Sequence, residues 1–368
     1  MEYRRLGRSE LNVSTVALGC MSLCAGQTYN EIPESQATAT VDAALDAGIN
    51  FFDNAPLYGD GEAERRLGNA LKGAKRDRAV VATKIGTATM SADETVREFE
   101  GSLQRLRTDR IDLFQIHWAR RVVPIAETLR AMEKLVQQGK LRAIGVCNFG
   151  PLDLGEALAA VDKLATNQMA YSLLARGVEY EVVPICQENG VGMLCYSPLA
   201  QGLLTGRYTN ANEVPPERAR TRHFAATRPQ SRHGEPGLES ETFEAVRNVK
   251  QICEDLGLPM ADVALAWLLH QPTVTSVLAG ASRPDQIVQN AKAAEIKLPP
   301  VGPSGVANAA PARCTGCRHV PAAVRSAVWL RAEARAPETQ GEVGNQRRRP
   351  ARRAAFARTE TSHSRAPC

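Results

Sequence analysis

The feature that most constrains the fold is a regular alternation, from residue 14 to residue 294, of short β-branched runs with longer amphipathic segments. Such alternation indicates repeated strand and helix units arranged around a parallel sheet. Eight strands are predicted, at Thr15–Leu18, Ile49–Asp53, Ala79–Lys84, Ile111–His117, Arg142–Cys147, Ala165–Gln168, Gly192–Tyr196 and Ser276–Ala279.

The amphipathic segments predict a helix after each strand, with two helices before the last strand. They cover Glu34–Ala47, Ala63–Leu71, Ala92–Leu106, Ile125–Gln138, Leu152–Val161, Val182–Asn189, Glu239–Leu256 with Ala261–Leu269, and Pro284–Ala293. Ser91 and Glu94 are typical of a capping box, and Gly139 and Gly190 of helix ends. Since composition does not break along these units, we expect one α/β domain, a closed (β/α)8 TIM barrel, rather than an open doubly wound sheet.

Two stretches interrupt the pattern. Residues 200–238 form a long connection after the seventh strand, and connections of this length in compact domains are usually functional, so we expect it over the site. From residue 299 the periodicity disappears, which divides the chain into a barrel, 1–298, and a low-complexity tail, 299–368, rich in Ala, Arg and Pro. We expect the tail to be disordered or to arise from a shifted reading frame, because it contains no Lys and no Asp. Its single C-x-x-C run, Cys314 to Cys317, is interpreted as chance.

Charge and composition exclude several classes of protein. The tail holds twelve Arg and four Glu, a net charge of +8, so the first 298 residues carry −3 of the chain's overall +5. A mildly acidic body argues against nucleic acid as the partner. No apolar run approaches the roughly 18 residues of a membrane span, and the first residues contain no apolar signal region. We therefore expect a soluble, cytoplasmic protein, and the nine scattered cysteines indicate reduced thiols.

Four polar residues stand at or just beyond the carboxyl ends of predicted strands: Asp53, Tyr58, Lys84 and His117. In a parallel barrel these ends meet at one rim, where the active sites of this architecture lie. Taken singly, each has an ordinary explanation: a helix cap for Asp53, a loop aromatic for Tyr58, a solvated strand end for Lys84 and a core histidine for His117. Their convergence favours a catalytic site.

The chemistry of the four residues is complementary. A lysine at a buried strand end needs a partner, and Asp53 on the neighbouring strand is the natural one. The Lys84 ammonium is expected to lower the pKa of the nearby Tyr58 phenol, which would make it a usable general acid. His117 could then orient a substrate carbonyl. No metal site is expected.

Eight segments closely resemble motifs of one family, the aldo-keto reductases. They are residues 1–9 (MEYRRLGRS), 51–59 (FFDNAPLYG), 82–86 (ATKIG), 112–118 (DLFQIHW), 145–149 (GVCNF), 167–168 (NQ), 196–202 (YSPLAQG) and 280–290 (GASRPDQIVQN). The resemblance spans residues 1–298. It implies that Asp53, Tyr58, Lys84 and His117 are the catalytic tetrad and that the cofactor is NADPH, with NADH possible, bound without a Rossmann fingerprint.

The resemblance also implies the residues that bind the cofactor. Asn148 and Gln168 would hold the nicotinamide carboxamide, and Tyr196 would stack on the ring. The pyrophosphate would be wrapped by Ser197, Leu199, Gln201, Gly202 and Arg207. The adenosine end would be bound by Ser282, Arg283, Gln286 and Asn290, where a cation and a helix start suit a 2′-phosphate.

Three positions depart from the family pattern. Cys147 stands where the family often has Ser, Gln289 stands where many members have Glu, and the tail replaces a closing helix and a C-terminal segment near the substrate pocket. The first two bear on cofactor affinity. The third leaves the choice of substrate open.

The implied function is an NADPH-dependent oxidoreductase that reduces a small aldehyde, ketone or sugar, with Tyr58 as proton donor. Three alternatives stay open. The enzyme could run in reverse as a sugar or alcohol dehydrogenase. It could bind the cofactor as a signal, like the related potassium-channel β-subunits, although those usually carry Asn where this chain has His117. A shifted tail could also leave the chain poorly folded and inactive. The oligomeric state is not readable from the sequence.

Overall fold

A computed structural model describes residues 1–24 and 31–298 and contains ten strands within them. They are β1 Tyr3–Arg5, β2 Asn12–Ser14, β3 Val16–Gly19, β4 Phe51–Asp53, β5 Val80–Ile85, β6 Ile111–Ile116, β7 Leu141–Cys147, β8 Leu164–Ala170, β9 Gly192–Tyr196 and β10 Val274–Gly280. Strands β3 to β10 are parallel and pair in chain order, and β10 pairs with β3 to close the ring. The predicted (β/α)8 barrel is therefore confirmed. The predicted tail and its Cys314–Cys317 run lie outside the described residues.

Nine α-helices accompany these strands in the described part of the chain. They are α1 Glu34–Asp46, α2 Glu62–Ala70, α3 Ala92–Leu106, α4 Ile125–Gln137, α5 Pro151–Ala160, α6 Val182–Glu188, α7 Glu239–Leu256, α8 Met260–Leu269 and α9 Pro284–Ala291. The Ser91 hydroxyl accepts a hydrogen bond from the Glu94 N–H and begins α3. Gly139 and Gly190 follow helix ends in the left-handed conformation, as predicted, because a glycine pays no Cβ penalty there. None of the described helices is long and apolar enough to cross a membrane.

A short hairpin of β1 and β2 precedes the barrel and was not predicted. Its connection carries Leu6 and Leu11, which are buried against the inner residues of the barrel strands at their amino ends. The Arg4 guanidinium fastens the hairpin to the barrel, since it donates to the carbonyl oxygens of Leu269 at 2.8 Å and Val274 at 2.7 Å. The hairpin therefore closes the end of the barrel opposite the predicted site.

The interior of the barrel changes from apolar to polar along three neighbouring strands. Residues two apart in a strand point to the same face, so an apolar side chain near the amino end shares its face with a polar one further on. The pairs are Phe51 with Asp53 in β4, Ala82 with Lys84 in β5, and Leu113 with Gln115 in β6. Charge is thereby concentrated at the carboxyl end of the barrel.

The connection after β9 is anchored by buried side chains although it has little regular structure. It contains an irregular turn at Ala200–Thr205, which left-handed residues interrupt, and a short 3-10 turn at Ala211–Glu213, and α7 begins at Glu239. Leu204, Tyr208 and Phe224 are buried along it. Its predicted position over the site stays a prediction. Six cysteines in the described part of the chain are buried and free, as expected for reduced thiols.

Candidate active site

Lys84 is the centre of the polar cluster at the carboxyl end of the barrel. The ammonium is fully buried and has three acceptors: the Asp53 carboxylate Oδ2 at 2.7 Å, the Asn54 carbonyl oxygen at 2.8 Å and the Tyr58 hydroxyl at 3.2 Å. An ammonium has three N–H donors, so this set uses all of them. The pairing of Lys84 with Asp53, expected from neighbouring strand ends, is present in the structure.

Tyr58 is brought to Lys84 by a tight turn after β4. The Tyr58 N–H donates to the carbonyl oxygen of Ala55 at 3.0 Å, which folds the chain back over the strand end. The ring is partly exposed at the rim while its hydroxyl reaches the Lys84 ammonium. Because the hydroxyl oxygen accepts from Lys84, its own proton remains available to a group approaching from the rim.

Lys84 lowers the pKa of Tyr58, as expected, but it does not bring that pKa toward neutral pH. Burial has the largest influence, and burial and Asp53 together outweigh Lys84, so the pKa of Tyr58 is raised to about 12. Tyr58 is therefore a fully protonated phenol at neutral pH.

The Asp53 carboxylate is held from two sides. Its second oxygen, Oδ1, accepts from the Gln168 side-chain amide at 2.7 Å and the Gln115 side-chain amide at 3.3 Å. Gln115 was not predicted as a site residue. The available signal was a polar residue in a buried strand, two positions before His117.

The Lys84 ammonium stays charged although it is buried. Burial lowers the pKa of Lys84, but Asp53 and Tyr58 together outweigh burial and raise that pKa above its usual value.

His117 follows β6 directly and is held as a neutral ring. Burial, helped by the nearby cations of Lys84 and Arg120, lowers its pKa to about 2. The imidazole stacks on the Trp118 ring with a centroid distance of 3.6 Å. Its Nδ1 is buried and has no hydrogen-bond partner among the described residues. A neutral imidazole at this rim can donate or accept a hydrogen bond without adding charge.

The residues expected to hold the nicotinamide form one hydrogen-bonded group beside the tetrad. The Asn148 side-chain oxygen accepts from the Tyr196 hydroxyl at 2.8 Å, and its amide nitrogen donates to the His117 carbonyl oxygen at 3.1 Å. Asn148 adopts a left-handed φ of 60°, which turns the chain at the rim. Gln168, by contrast, is buried in the barrel, and its side-chain amide nitrogen donates to the Asp53 carboxylate. The Cys147 thiol lies 3.7 Å from the Gln168 side-chain oxygen. Gln168 therefore connects the cofactor group to the tetrad.

The expected pyrophosphate segment has an unusual backbone. Ser197 and Gln201 have φ values of 51° and 57°, and Gly202 has a φ of 102° that favours glycine. The side-chain oxygen of Gln201 is buried without a hydrogen-bond partner in the described part of the chain. Such an oxygen fits a donor on a bound group, and a dinucleotide has hydroxyl and amide donors. Leu199 is partly buried in the same turn, and Arg207 is exposed.

The expected adenosine residues lie at the start of α9 and along it. The Ser282 N–H and hydroxyl both donate to the Gln286 side-chain oxygen, at 2.9 and 3.3 Å. The Arg283 guanidinium is exposed and pairs with Asp285 at 3.1 Å, a contact not foreseen from the sequence. Asn290 is buried in the same helix.

Gln289, which departs from the family pattern, has a structural partner. Its side-chain amide donates to the buried Asp262 carboxylate at 2.8 Å and so joins α8 to α9. Burial raises the pKa of Asp262, and the bond from Gln289 opposes this. A glutamate at position 289 would place two carboxylates together, which explains the amide.

Comparisons with known proteins agree on one family. The model of the Aldo/keto reductase family matches residues 15–301. A protein of Oryza sativa subsp. japonica named a probable voltage-gated potassium channel subunit beta is 33% identical over 312 residues, which cover 80% of this chain and 92% of that protein. Aldo-keto reductase YhdN of Bacillus subtilis is 33% identical over 297 residues, covering 78% and 87%. The NADH-specific methylglyoxal reductase of Escherichia coli is 32% identical over 317 residues, covering 80% and 93%.

Proposed function

The chain belongs to the aldo/keto reductase family, and on that premise we propose that it reduces a small aldehyde or ketone to an alcohol with NADPH, Tyr58 being the proton donor. The observation that carries the proposal is the bond from the Lys84 ammonium to the Tyr58 hydroxyl, at 3.2 Å. This bond fixes the phenol oxygen as an acceptor and directs its proton away from Lys84. A carbonyl oxygen at the rim would receive that proton.

Each member of the tetrad has a separate task. Tyr58 donates its proton to the substrate oxygen as negative charge develops there. The phenolate that forms is stabilised by the Lys84 ammonium, which is already in place and needs no reorganisation. Asp53 keeps that ammonium charged and fixed. His117, as a neutral ring, orients the carbonyl oxygen toward Tyr58.

Tyr58 carries its proton at neutral pH, and this is the form that reduction uses. The pKa of Tyr58 is raised to about 12, mainly by burial, so the phenol holds the proton that reduction consumes. Oxidation of an alcohol needs the phenolate as a base. The reverse activity as a sugar or alcohol dehydrogenase is therefore expected to grow as pH rises.

The residues of the rim fit a nicotinamide dinucleotide. When bound, the reduced nicotinamide supplies the hydride to the carbonyl carbon. Asn148 and Tyr196 would hold the ring end beside the tetrad, the turn at Gln201 would receive the pyrophosphate and its riboses, and Arg283 would receive the adenosine end. The buried Gln201 oxygen, which has no hydrogen-bond partner among the described residues, supports a ribose hydroxyl at this turn, because a hydroxyl can donate to it.

We favour NADPH over NADH because of Arg283. An exposed guanidinium at the start of α9 can pair with a 2′-phosphate in a bidentate way. Asp285 competes for the same guanidinium, and one relative is named NADH-specific, so NADH is retained as an alternative cofactor. The ratio of the dissociation constants for the two cofactors, measured by quenching of tryptophan fluorescence, decides between them.

A second candidate is a cofactor-sensing binding protein, favoured by the similarity to proteins named as probable potassium channel β-subunits. Against it, the chain has a histidine at position 117, held neutral at the rim. Steady turnover of NADPH with a small carbonyl would reject a purely binding role.

The test of the proposed function is the loss of NADPH absorbance with a panel of aldehydes, ketones and sugars. Wild type is expected to turn over at least one of them, and Tyr58→Phe to lose about two or more orders of magnitude in kcat. Tyr3→Phe is the matched control, since the Tyr3 hydroxyl donates to the Gly48 carbonyl oxygen at 2.7 Å, at the end of the barrel opposite the rim. Binding of NADPH without turnover by the wild type would reject the enzymatic proposal.

A further inference from the structure

We propose that Glu64 is a positioning residue: from the outer face of the barrel it joins the turn that carries Tyr58 to the strand that carries Lys84. It thereby sets the distance between the phenol that donates the proton and the ammonium that stabilises the phenolate. This inference rests on the proposed role of Tyr58 as the proton donor, and it adds a residue that acts on the site from outside the barrel.

Glu64 and Tyr58 belong to one continuous turn. Glu64 lies in the first turn of α2, and the N–H of the preceding Ala63 donates to the Tyr58 carbonyl oxygen at 3.2 Å. The Gly61 N–H donates to the Pro56 carbonyl oxygen at 2.7 Å, which closes the same turn. A displacement of Glu64 would therefore move the backbone of Tyr58.

Thr83 links Glu64 to the strand of Lys84. Thr83 precedes Lys84 in β5, so the two side chains point to opposite faces, Lys84 into the barrel and Thr83 toward the helices. The Thr83 hydroxyl donates to the Glu64 carboxylate Oε1 at 2.6 Å, and both side chains are fully buried. Strand β5 is therefore bonded to the segment that carries Tyr58 on both faces, through Lys84 inside the barrel and Thr83 outside it.

Arg105 in α3 holds the other oxygen of Glu64. Its Nε donates to Glu64 Oε2 at 2.5 Å, and its Nη2 donates to the Glu98 carboxylate at 2.6 Å and the Ser102 hydroxyl at 3.1 Å. The Arg105 side chain also packs against the turn, since a Cβ added to Gly61 would stand 2.6 Å from Arg105 Cδ. Each oxygen of the Glu64 carboxylate thus has its own donor, which fixes the orientation of the group.

The burial of this carboxylate indicates a role beyond stability. A buried ion pair often contributes no more to stability than apolar side chains of similar size would, because both charges lose their hydration. Its hydrogen bonds, unlike apolar contacts, have a preferred direction and length. Precision matters here, because a displacement of about 1 Å in an active site can lower the rate about a hundredfold.

The experiment compares Thr83→Val with Thr83→Ser in the reduction of an aldehyde by NADPH. Valine has the shape of threonine without the hydroxyl, whereas serine keeps the hydroxyl. Thr83→Val is expected to lower kcat by about tenfold or more, while KM and the dissociation constant of NADPH change by less than about twofold. Thr83→Ser should keep kcat within about threefold of the wild type, although the loss of a buried methyl group lowers its stability.

Glu64→Gln tests the same link from the other side. The glutamine offers one acceptor oxygen in place of two, so it cannot reproduce the bonds to both Thr83 and Arg105. It should show the same loss of kcat at constant KM. In Glu64→Gln and Thr83→Val the solvent deuterium isotope effect on kcat should rise, because proton transfer from Tyr58 becomes slower.

Asp112→Asn is the matched control for the loss of a buried carboxylate. The Asp112 side chain is as buried as that of Glu64, and it accepts from Arg76 at 2.8 Å and Arg142 at 3.0 Å. It lies near the amino end of β6, opposite the rim. Asp112→Asn should lower the melting temperature as Glu64→Gln does and leave kcat unchanged.

A crystal structure of Thr83→Val measures the positioning without any activity. The distance from the Lys84 nitrogen to the Tyr58 hydroxyl oxygen, 3.2 Å in the wild type, should lengthen beyond about 3.5 Å. An unchanged distance, a wild-type kcat in Thr83→Val, or equal losses of kcat in Glu64→Gln and Asp112→Asn would overturn the inference. A wild type that reduces no carbonyl would reject the proposed function, whereas this distance tests the role of Glu64 separately.

Discussion

Replacing Lys84 with Met tests whether the buried ion pair holds the site together. The change removes an ammonium whose side chain is 0% exposed and leaves the Asp53 carboxylate, 4% exposed, without its cation. Breaking a buried pair from one side costs about 3–5 kcal/mol. The cost should lie near the lower end, about 3 kcal/mol, because Gln168 and Gln115 still donate to Asp53.

The assay is urea unfolding at pH 7.5, followed by far-ultraviolet circular dichroism. Lys140→Met is the matched control, because Lys140 pairs with Glu100 at 2.6 Å while both side chains are about 40% exposed. It should cost less than about 1 kcal/mol. Adding Asp53→Asn to Lys84→Met should recover part of the loss. A cost below about 1 kcal/mol for Lys84→Met would refute the reasoning.

Three further changes test other parts of the structure. Gly145→Ala should lower stability by about 1–3 kcal/mol, because its Cβ would stand 2.2 Å from the Thr166 hydroxyl; an unchanged melting temperature would contradict this. His117 has a pKa of about 2 when folded, so only the unfolded chain gains its proton below pH 6.5. Between pH 6.5 and pH 5.5, the free energy of unfolding of the wild type should fall by about 1 kcal/mol more than that of His117→Gln. An equal change in the two proteins would contradict this prediction. Arg283→Ala should weaken the binding of NADPH about tenfold and leave the binding of NADH unchanged, as measured by fluorescence titration. Equal effects on the two cofactors would show that Arg283 does not bind the 2′-phosphate.

The barrel was predictable because its signal is local. In the described part of the chain, all eight barrel strands and all nine helices begin and end within two residues of the predicted bounds. The reason is that each segment has its own hydrophobic periodicity. The hairpin was not predictable in the same way. Its strands have three residues each, and Leu6 and Leu11 become buried only because the finished barrel offers an open end.

The convergence of the tetrad followed from strand ends, but its electrostatics did not. Asp53, Lys84 and Tyr58 stand together because parallel strands end at one rim. The raised pKa of Tyr58 depends on burial and on Asp53 opposing Lys84, which are properties of the assembled barrel. The bond from Gln168 to Asp53 joins residues 115 positions apart and has no local signature.

The most direct test of the account is to follow the hydrogen itself. Wild type and Tyr58→Phe would be supplied with [4,4-²H₂]NADPH and an aldehyde, and the alcohol analysed by mass spectrometry and NMR. The account predicts one deuterium on the carbinol carbon in the wild type, with product formed about two or more orders of magnitude more slowly by Tyr58→Phe. Alcohol without deuterium, or equal rates for the two proteins, would contradict direct hydride transfer with Tyr58 as the proton donor.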